Sequence, residues 1–343
     1  MHLPPIYSCL FLNIAGISKE NHMELKPEIV EKIKLLDEKY QAMGQNLSSY
    51  LDGLLYANYL TYWDYIHLDT LLSLQNPKTN IPDEEIFIMY HQITELYFKL
   101  CLHEYTQLKD RDNLDVTFLT ARVGRINRYF EALIDSFNIM VDGMDPAQFL
   151  KFRMSLLPAS GFQSGQYRMI EICSTTFKNI VAKDVRNNYP DVITDELINE
   201  MYEHIYWKTG ATELASGKKT LTLVQFEEKY SETFKDLAKQ FKHKNLLSLY
   251  KSLPEADQQN NALKLALRQL DINVNINWPL SHYKSAVRYL HKDPVDIAAT
   301  GGTNWQKYLP PRFQKRIFFP ELWSEEEVEE WGKSWVTDVT GIK

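Results

Sequence analysis

The stretch DEEIFIMYHQITELYFKLCLHEYTQLK, residues 83–109, decides the fold class. Three acids open it, placed well against the partial positive charge of a helix N-terminus. From Ile86 onward, apolar residues recur around most of the helical circumference, which predicts an interior helix rather than a surface one. Phe87 and His91 stand four apart and so share a face, and Glu95 continues that face. On residue type alone His91 reads in two ways. It is a core histidine bonded to a neighbour, or an imidazole beside an aromatic wall that would suit a flat heterocycle carrying one N–H.

Helical spacing continues outward from this segment. Residues 27–42 carry Pro27 where a helix start accepts it. Further helices are expected at 115–140, 161–178, 192–207, 222–241, 257–271 and 278–291. Strand-like alternation bounded by turns is absent. Polar stretches near 180–192 and 208–222 and the Pro- and Gly-rich 293–320 read as loops, and the acid-rich SEEEVEEWGKSW (324–335) reads as a surface helix. The expected fold class is therefore all-α: a single large helical-bundle domain over 23–343, preceded by an extension, 1–22. That extension reads as a disordered or subunit-docking arm, as residues upstream of a true start at Met23, or as a targeting segment.

Composition sets the outer limits. Of 343 residues, 44% are hydrophobic and 13% aromatic, ample for a large core, while only 13 glycines argue against a Gly-loop-rich fold. A net charge of −7 gives no global reason to bind nucleic acid or an anionic membrane. No apolar run approaches the roughly 18 residues of a membrane span. Cys9, Cys101 and Cys173 form no CxxC pair and fit a reducing cytoplasm, without a disulfide frame or thiolate zinc site. Several catalytic patterns fail on spacing. GATELASGKKT (210–220) has the wrong glycine spacing for a phosphate loop, and His103-Glu104 lacks the second histidine of a zincin. None of the nine histidines follows a Glu by three, and no G-x-S-x-G occurs.

Three further segments can carry chemistry. FRMSLLPASGFQSGQYR (152–168) places Arg153 in an apolar helical run, then Pro158 and the small turn Ala159-Ser160-Gly161 before a new helix. Such a turn can aim a guanidinium, a hydroxyl and free backbone N–H groups into one pocket, and a guanidinium fork suits a carboxylate. NWPLSHYKSAVRYLHKD (277–293) puts His282 near a helix start marked by Pro279 and Ser281; it is a structural histidine or an axial haem ligand. ATGGTNW (299–305) is a surface turn, or a place where paired glycines let backbone approach a ligand beside Thr300 and Thr303.

Taken in order, these pieces resemble the tryptophan 2,3-dioxygenase family. The matching segments are TYWDYIHLDTLLSLQ (61–75), DEEIFIMYHQITELYFK (83–99), FRMSLLPASGFQSGQYR, the His282/Arg288 helix, TGGT (300–303) and FFPELW (318–323). The resemblance implies one haem b per subunit with His282 as the axial iron ligand and Ser160 beside the haem edge. It implies that His91 faces the indole N–H, that Phe87 packs on the indole, and that Arg153 and Thr300 bind the amino-acid end. It implies a homotetramer in which Tyr62 and Tyr65 enter a neighbouring subunit's pocket. The implied reaction is insertion of both atoms of O₂ across the indole C2–C3 bond of L-tryptophan, giving N-formylkynurenine in the cytoplasm. The chain departs from the family pattern at Tyr97, where Trp is usual, at Ala299, where Gly is usual, and in a longer connection from His282 to Thr300. The alternatives are a haem enzyme of the same fold oxidising a modified indole, a haem or tryptophan sensor without catalysis, and a helical scaffold without cofactor.

Overall fold

The computed structural model describes residues 25–157, 159, 161–212, 218–291 and 309–333. The extension 1–22, Ser160 and the segment with Ala299 and Thr300 lie outside the described residues. The chain divides into two compact units, residues 1–74 and 75–343. Among the described residues the architecture is helical, and β pairing is confined to the isolated bridges Val181–Ile205 and Thr212–Lys219. No helix among them is long and apolar enough to cross a membrane.

In the first unit α1 (Pro27–Ala42) and α2 (Leu47–Tyr56) pack together, with the rings of Tyr40 and Tyr50 stacked 4.2 Å apart. Asn46 caps α2 through a 2.8 Å bond from Ser48 N–H, a contact worth about 1 kcal/mol. Two single-turn helices follow, α3 (Tyr62–Tyr65) and α4 (Leu68–Leu71), joined through His67 in the left-handed region.

The second unit is built on α5 (Asp83–Lys109), which runs against α6 (Val116–Ser136). The chain continues through α7 (Asn138–Asp142), α8 (Pro146–Phe152), α9 (Gly165–Ser174), α10 (Asp195–Glu203), α11 (Tyr206–Gly210) and α12 (Leu221–Phe241). Then come α13 (Leu246–Ser252), α14 (Glu255–Gln258), α15 (Asn261–Ile272), a π-helical turn Asn273–Asn277, and α16 (Trp278–Leu290). Short α17 (Pro311–Gln314) and α18 (Glu325–Glu329) close it. Side-chain caps from Asp115, Asp145, Ser164, Thr220, Asn245 and Asn260 start α6, α8, α9, α12, α13 and α15. The core between them is aromatic-rich, with Phe98, Phe130, Phe152, Tyr202, Trp207 and Phe234 all fully buried.

Several expectations change shape: the runs expected at 115–140, 192–207 and 257–271 are each broken in two, and two more change as follows. The single helix expected at 161–178 is a 3₁₀ turn Gly161–Gln163 followed by α9, because Ser164 caps a fresh start and Thr175 turns extended. The surface helix expected at the C-terminal end shortens to α18, closed at its start by a Ser324–Glu327 capping box; beyond it Trp331 is buried rather than exposed.

Candidate functional site

The two candidate histidines stand on α5 and α16, and each is held by its own helix. His91 Nδ1 lies 2.7 Å from the carbonyl oxygen of Phe87, and His282 Nδ1 lies 3.1 Å from that of Trp278. A carbonyl oxygen only accepts, so each ring carries its proton on Nδ1 and presents the lone pair of Nε2. In both cases the residue four back also supplies a ring: Phe87 at 4.1 Å from His91, and Trp278 at 4.6 Å from His282.

Both imidazoles are held neutral. Burial pushes His282 down to about 4, the bond to Trp278 O opposes this, and nearby His91 and Arg168 push it down further. Burial likewise lowers His91, against the Phe87 carbonyl and Glu95, which favour the charged ring. A bridge of rings connects the two imidazoles, from His282 to Phe137 at 4.5 Å, Phe137 to Tyr90 at 5.6 Å, and Tyr90 to His91 at 6.3 Å.

Arg153 enters from α8. That helix ends at Phe152, and Arg153 opens a 3₁₀ turn instead of continuing the helical run that its neighbours suggest. Its side chain is buried, and burial pulls its pKa below the usual guanidinium range. Phe152, immediately before it, stands edge-on to Phe87 at 5.8 Å, so the end of α8 packs on the Phe87 side of α5. The first turns of the two helices are tied directly, since Asp145 N–H donates to Asp83 Oδ2 at 2.6 Å. On α5 itself Glu84 is buried; burial raises its pKa, but donors on Thr79 and Lys78 win and hold it ionised.

The structure thus places Phe87 and His91 on α5, His282 on α16 and Arg153 just after α8, which packs against both α5 and α16. Tyr62 and Tyr65 sit on α3, in the first unit, and are largely exposed at 71% and 74%. Ser160 and Thr300 lie outside the described residues.

Some contributors carry no local signal in the sequence. Phe137 packs on both His282 and Trp278, from a break between α6 and α7 that a continuous 115–140 helix would not contain. Arg168 is buried and bonds Glu171 at 3.0 Å; Glu171 also pairs with Arg316, 145 residues away. Gln166 ties α9 to α5 by donating to Glu95 O at 2.9 Å and to Glu95 Oε2 at 2.8 Å, one turn beyond His91. The i, i+4 pairing of Trp278 with His282 was visible in the sequence and repeats the Phe87–His91 arrangement. Among the described residues no group of three or more His, Cys, Asp or Glu side chains is placed to hold a bare metal ion.

Comparison with known proteins gives the chain its relatives. The family model described as tryptophan 2,3-dioxygenase matches residues 54–204. A tryptophan 2,3-dioxygenase of Bacillus cereus (strain ATCC 10987 / NRS 248) is 31% identical over 274 residues, covering 77% of this chain and 91% of that protein. The Exiguobacterium sibiricum protein of the same name is 30% identical over 283 residues, with the same coverage of 77% and 91%. That of Ruegeria sp. (strain TM1040) is 40% identical over a shorter 117 residues, 34% of this chain and 42% of that protein.

Proposed function

The chain belongs to the tryptophan 2,3-dioxygenase family, and we propose that it oxidises L-tryptophan to N-formylkynurenine, taking both added oxygen atoms from O₂. The observation that carries this reading is the pair of neutral imidazoles, each presenting Nε2, on two helices that both pack against α8, at whose end the buried guanidinium of Arg153 stands.

The family implies haem, and the donor set fits it. His282 is a single imidazole with its Nδ1 proton tied to a carbonyl and its Nε2 lone pair available, the state an axial nitrogen ligand needs. Its low pKa keeps protons from competing for that lone pair at neutral pH. His282, with Ser160, would hold one haem b per subunit. Ferrous haem, when bound, supplies the binding and activation of O₂.

The protein's own contribution is placement. The indole N–H donates to Nε2 of His91, which stays an acceptor because the ring is neutral. Phe87 packs on the ring system. Burying an indole of roughly 200 Å² contributes on the order of 5 kcal/mol, but it does so for any indole. Discrimination comes from Arg153, which grips the carboxylate; removing one partner of a buried charged pair costs about 2–5 kcal/mol. Thr300 completes the amino-acid end. With both ends fixed, C2 and C3 of the indole are held in one orientation for reaction.

The working assembly is a homotetramer with Tyr62 and Tyr65 reaching a neighbouring subunit's pocket. Support comes from the apolar surface that α2 and the segment after it expose, including Leu54, Leu55, Tyr56 and Tyr59. Residues 23–343 act as one catalytic domain. The reduced, buried thiols of Cys101 and Cys173 suit the cytoplasm.

Anaerobic titration of the haem-loaded ferrous protein with L-tryptophan, followed by oxygen-18 gas, tests the reaction. The reading requires a product carrying both labelled atoms. One labelled atom would make the protein a monooxygenase, and no turnover of L-tryptophan would assign the site to another indole.

A further inference from the structure

We propose that Asp271 is a positioning residue for the ring of His282, acting through the π-helical turn Asn273–Asn277. The inference rests on the haem reading above and extends it to residues that touch neither haem nor substrate.

The argument begins with helical phase. Leu270, Val274 and Trp278 are buried, and His282 packs on Phe137, so all four lie on the core-facing side of one continuous rod. They follow one another in steps of four. In an unbroken α-helix twelve residues overrun three full turns by about 120°, enough to swing the last of them off the face. A π turn takes one more residue per turn than an α turn and absorbs the excess. The face then continues through Ser285, which reaches Met140 O at 3.4 Å, and Tyr289, which donates to Val141 O at 3.2 Å. His282 therefore points into the site because the turn before it is π and not α.

A π turn packs less favourably than an α turn, so its persistence needs a cause outside it. The cause is a buried polar framework. Asp271, Asn273 and Asn275 are each no more than 1% exposed. Asp271 Oδ1 accepts from Asn275 Nδ2 at 2.7 Å and from Phe318 N–H at 2.7 Å. Its Oδ2 accepts from Phe319 N–H at 3.1 Å and from Trp323 Nε1 at 3.0 Å. Asn273 Oδ1 accepts from Gln269 and Asn277, and its amide donates to Asn127. Tyr167 donates to Val274 O at 2.9 Å. Asp271 is the one member of this framework that joins the π turn to the 318–323 segment. Burial pushes its carboxyl up to about 6, and the four donors keep it ionised at neutral pH. A carboxylate in a core is a poor way to gain stability alone, and a good way to select one register over another.

The test compares the haem-loaded wild type with Asp271→Asn and Trp323→Phe, by resonance Raman of the ferrous iron–imidazole stretch and by haem transfer to a haem-free acceptor globin. The amide of Asp271→Asn turns a donor toward groups that are already donors. The iron–imidazole band should shift or broaden, and haem release should quicken about 10-fold, as for other residues that orient a metal's ligand. Trp323→Phe removes a single bond and should move both readouts the same way by less. Tyr202→Phe, which removes the distant Tyr202–Ser231 bond, serves as a control that lowers stability and leaves the band in place. An unchanged band and release rate in both Asp271→Asn and Trp323→Phe would overturn the proposal alone. If Asp271→Asn does not fold, Trp323→Phe decides: a shifted band supports it and an unchanged one overturns it. Absence of any iron–imidazole band in the wild type would overturn the haem reading itself, and this proposal with it.

Discussion

His91 and His282 are mounted by the same local device, a carbonyl and an aromatic ring four residues back. What lies beneath each mount differs. His91 rides on α5, which runs 27 residues without a break, so its direction follows from its place in the repeat. His282 rides on α16, whose phase is reset by the π turn before it. One direction is set by local periodicity. The other depends on a carboxylate, a set of asparagines and backbone N–H groups at Phe318 and Phe319, 47 and 48 residues away from Asp271. A side chain that hydrogen-bonds a flexible small molecule tolerates small errors in aim, whereas a ligand to iron does not.

The sharpest way to break the comparison is to remove each imidazole. His282→Ala should lose haem on purification, a larger effect than the roughly 100-fold that outer residues reach, and absorbance of the purified protein reads it directly. Arg153→Ala should come next. It should raise KM for L-tryptophan by a factor equivalent to about 2–5 kcal/mol while leaving haem bound, and tryptamine should then lose little further. His91→Ala should keep haem and lower kcat/KM by roughly 10–100-fold, the value of about 1–3 kcal/mol for a buried hydrogen bond.

A pH profile sharpens the same contrast. Burial lowers the pKa of His91 below its ordinary 6.5, so the neutral ring persists into mild acid. The sign follows from linkage: with the folded value depressed, the stability it contributes is complete above 6.5 and is lost as pH falls through the lowered value. The acid limb of kcat/KM assigned to His91 should lie below 6.5 in wild type and vanish in His91→Ala. A limb at or above 6.5 would mean a ring bathed in water.

The smallest effect concerns the frame. A Cβ added at Gly165, in the first turn of α9, would meet the Tyr230 ring at 2.7 Å. Gly165→Ala should cost about 1–3 kcal/mol in denaturant unfolding, with haem retention intact.

Legibility in the sequence followed the same division. The 83–109 helix was readable at both ends because its pattern is long and its first turn acidic, and the Phe87–His91 pairing came with it. The α16 helix was also readable from Pro279 and its spacing, yet its rotation was not, since the π turn is fixed by residues far along the chain. Short helices such as α2, α8 and α13 complete too few turns to show a period. The Glu171–Arg316 pair joins α9 to the segment before Phe318 with no signal at either end, because charges so distant in sequence announce nothing about their meeting. The sequence shows Arg153 in an apolar helical run, and its side chain is buried, but the 3₁₀ turn that interrupts that run leaves no mark in the local pattern.

The division of labour between the two rings is open to one direct measurement. Protein labelled with nitrogen-15 in its histidines, loaded with haem and reduced, should show an isotope-sensitive iron–imidazole stretch in wild type and in His91→Ala, and none in His282→Ala. A band that survives loss of His282 and disappears with loss of His91 would reverse the assignment and contradict the account.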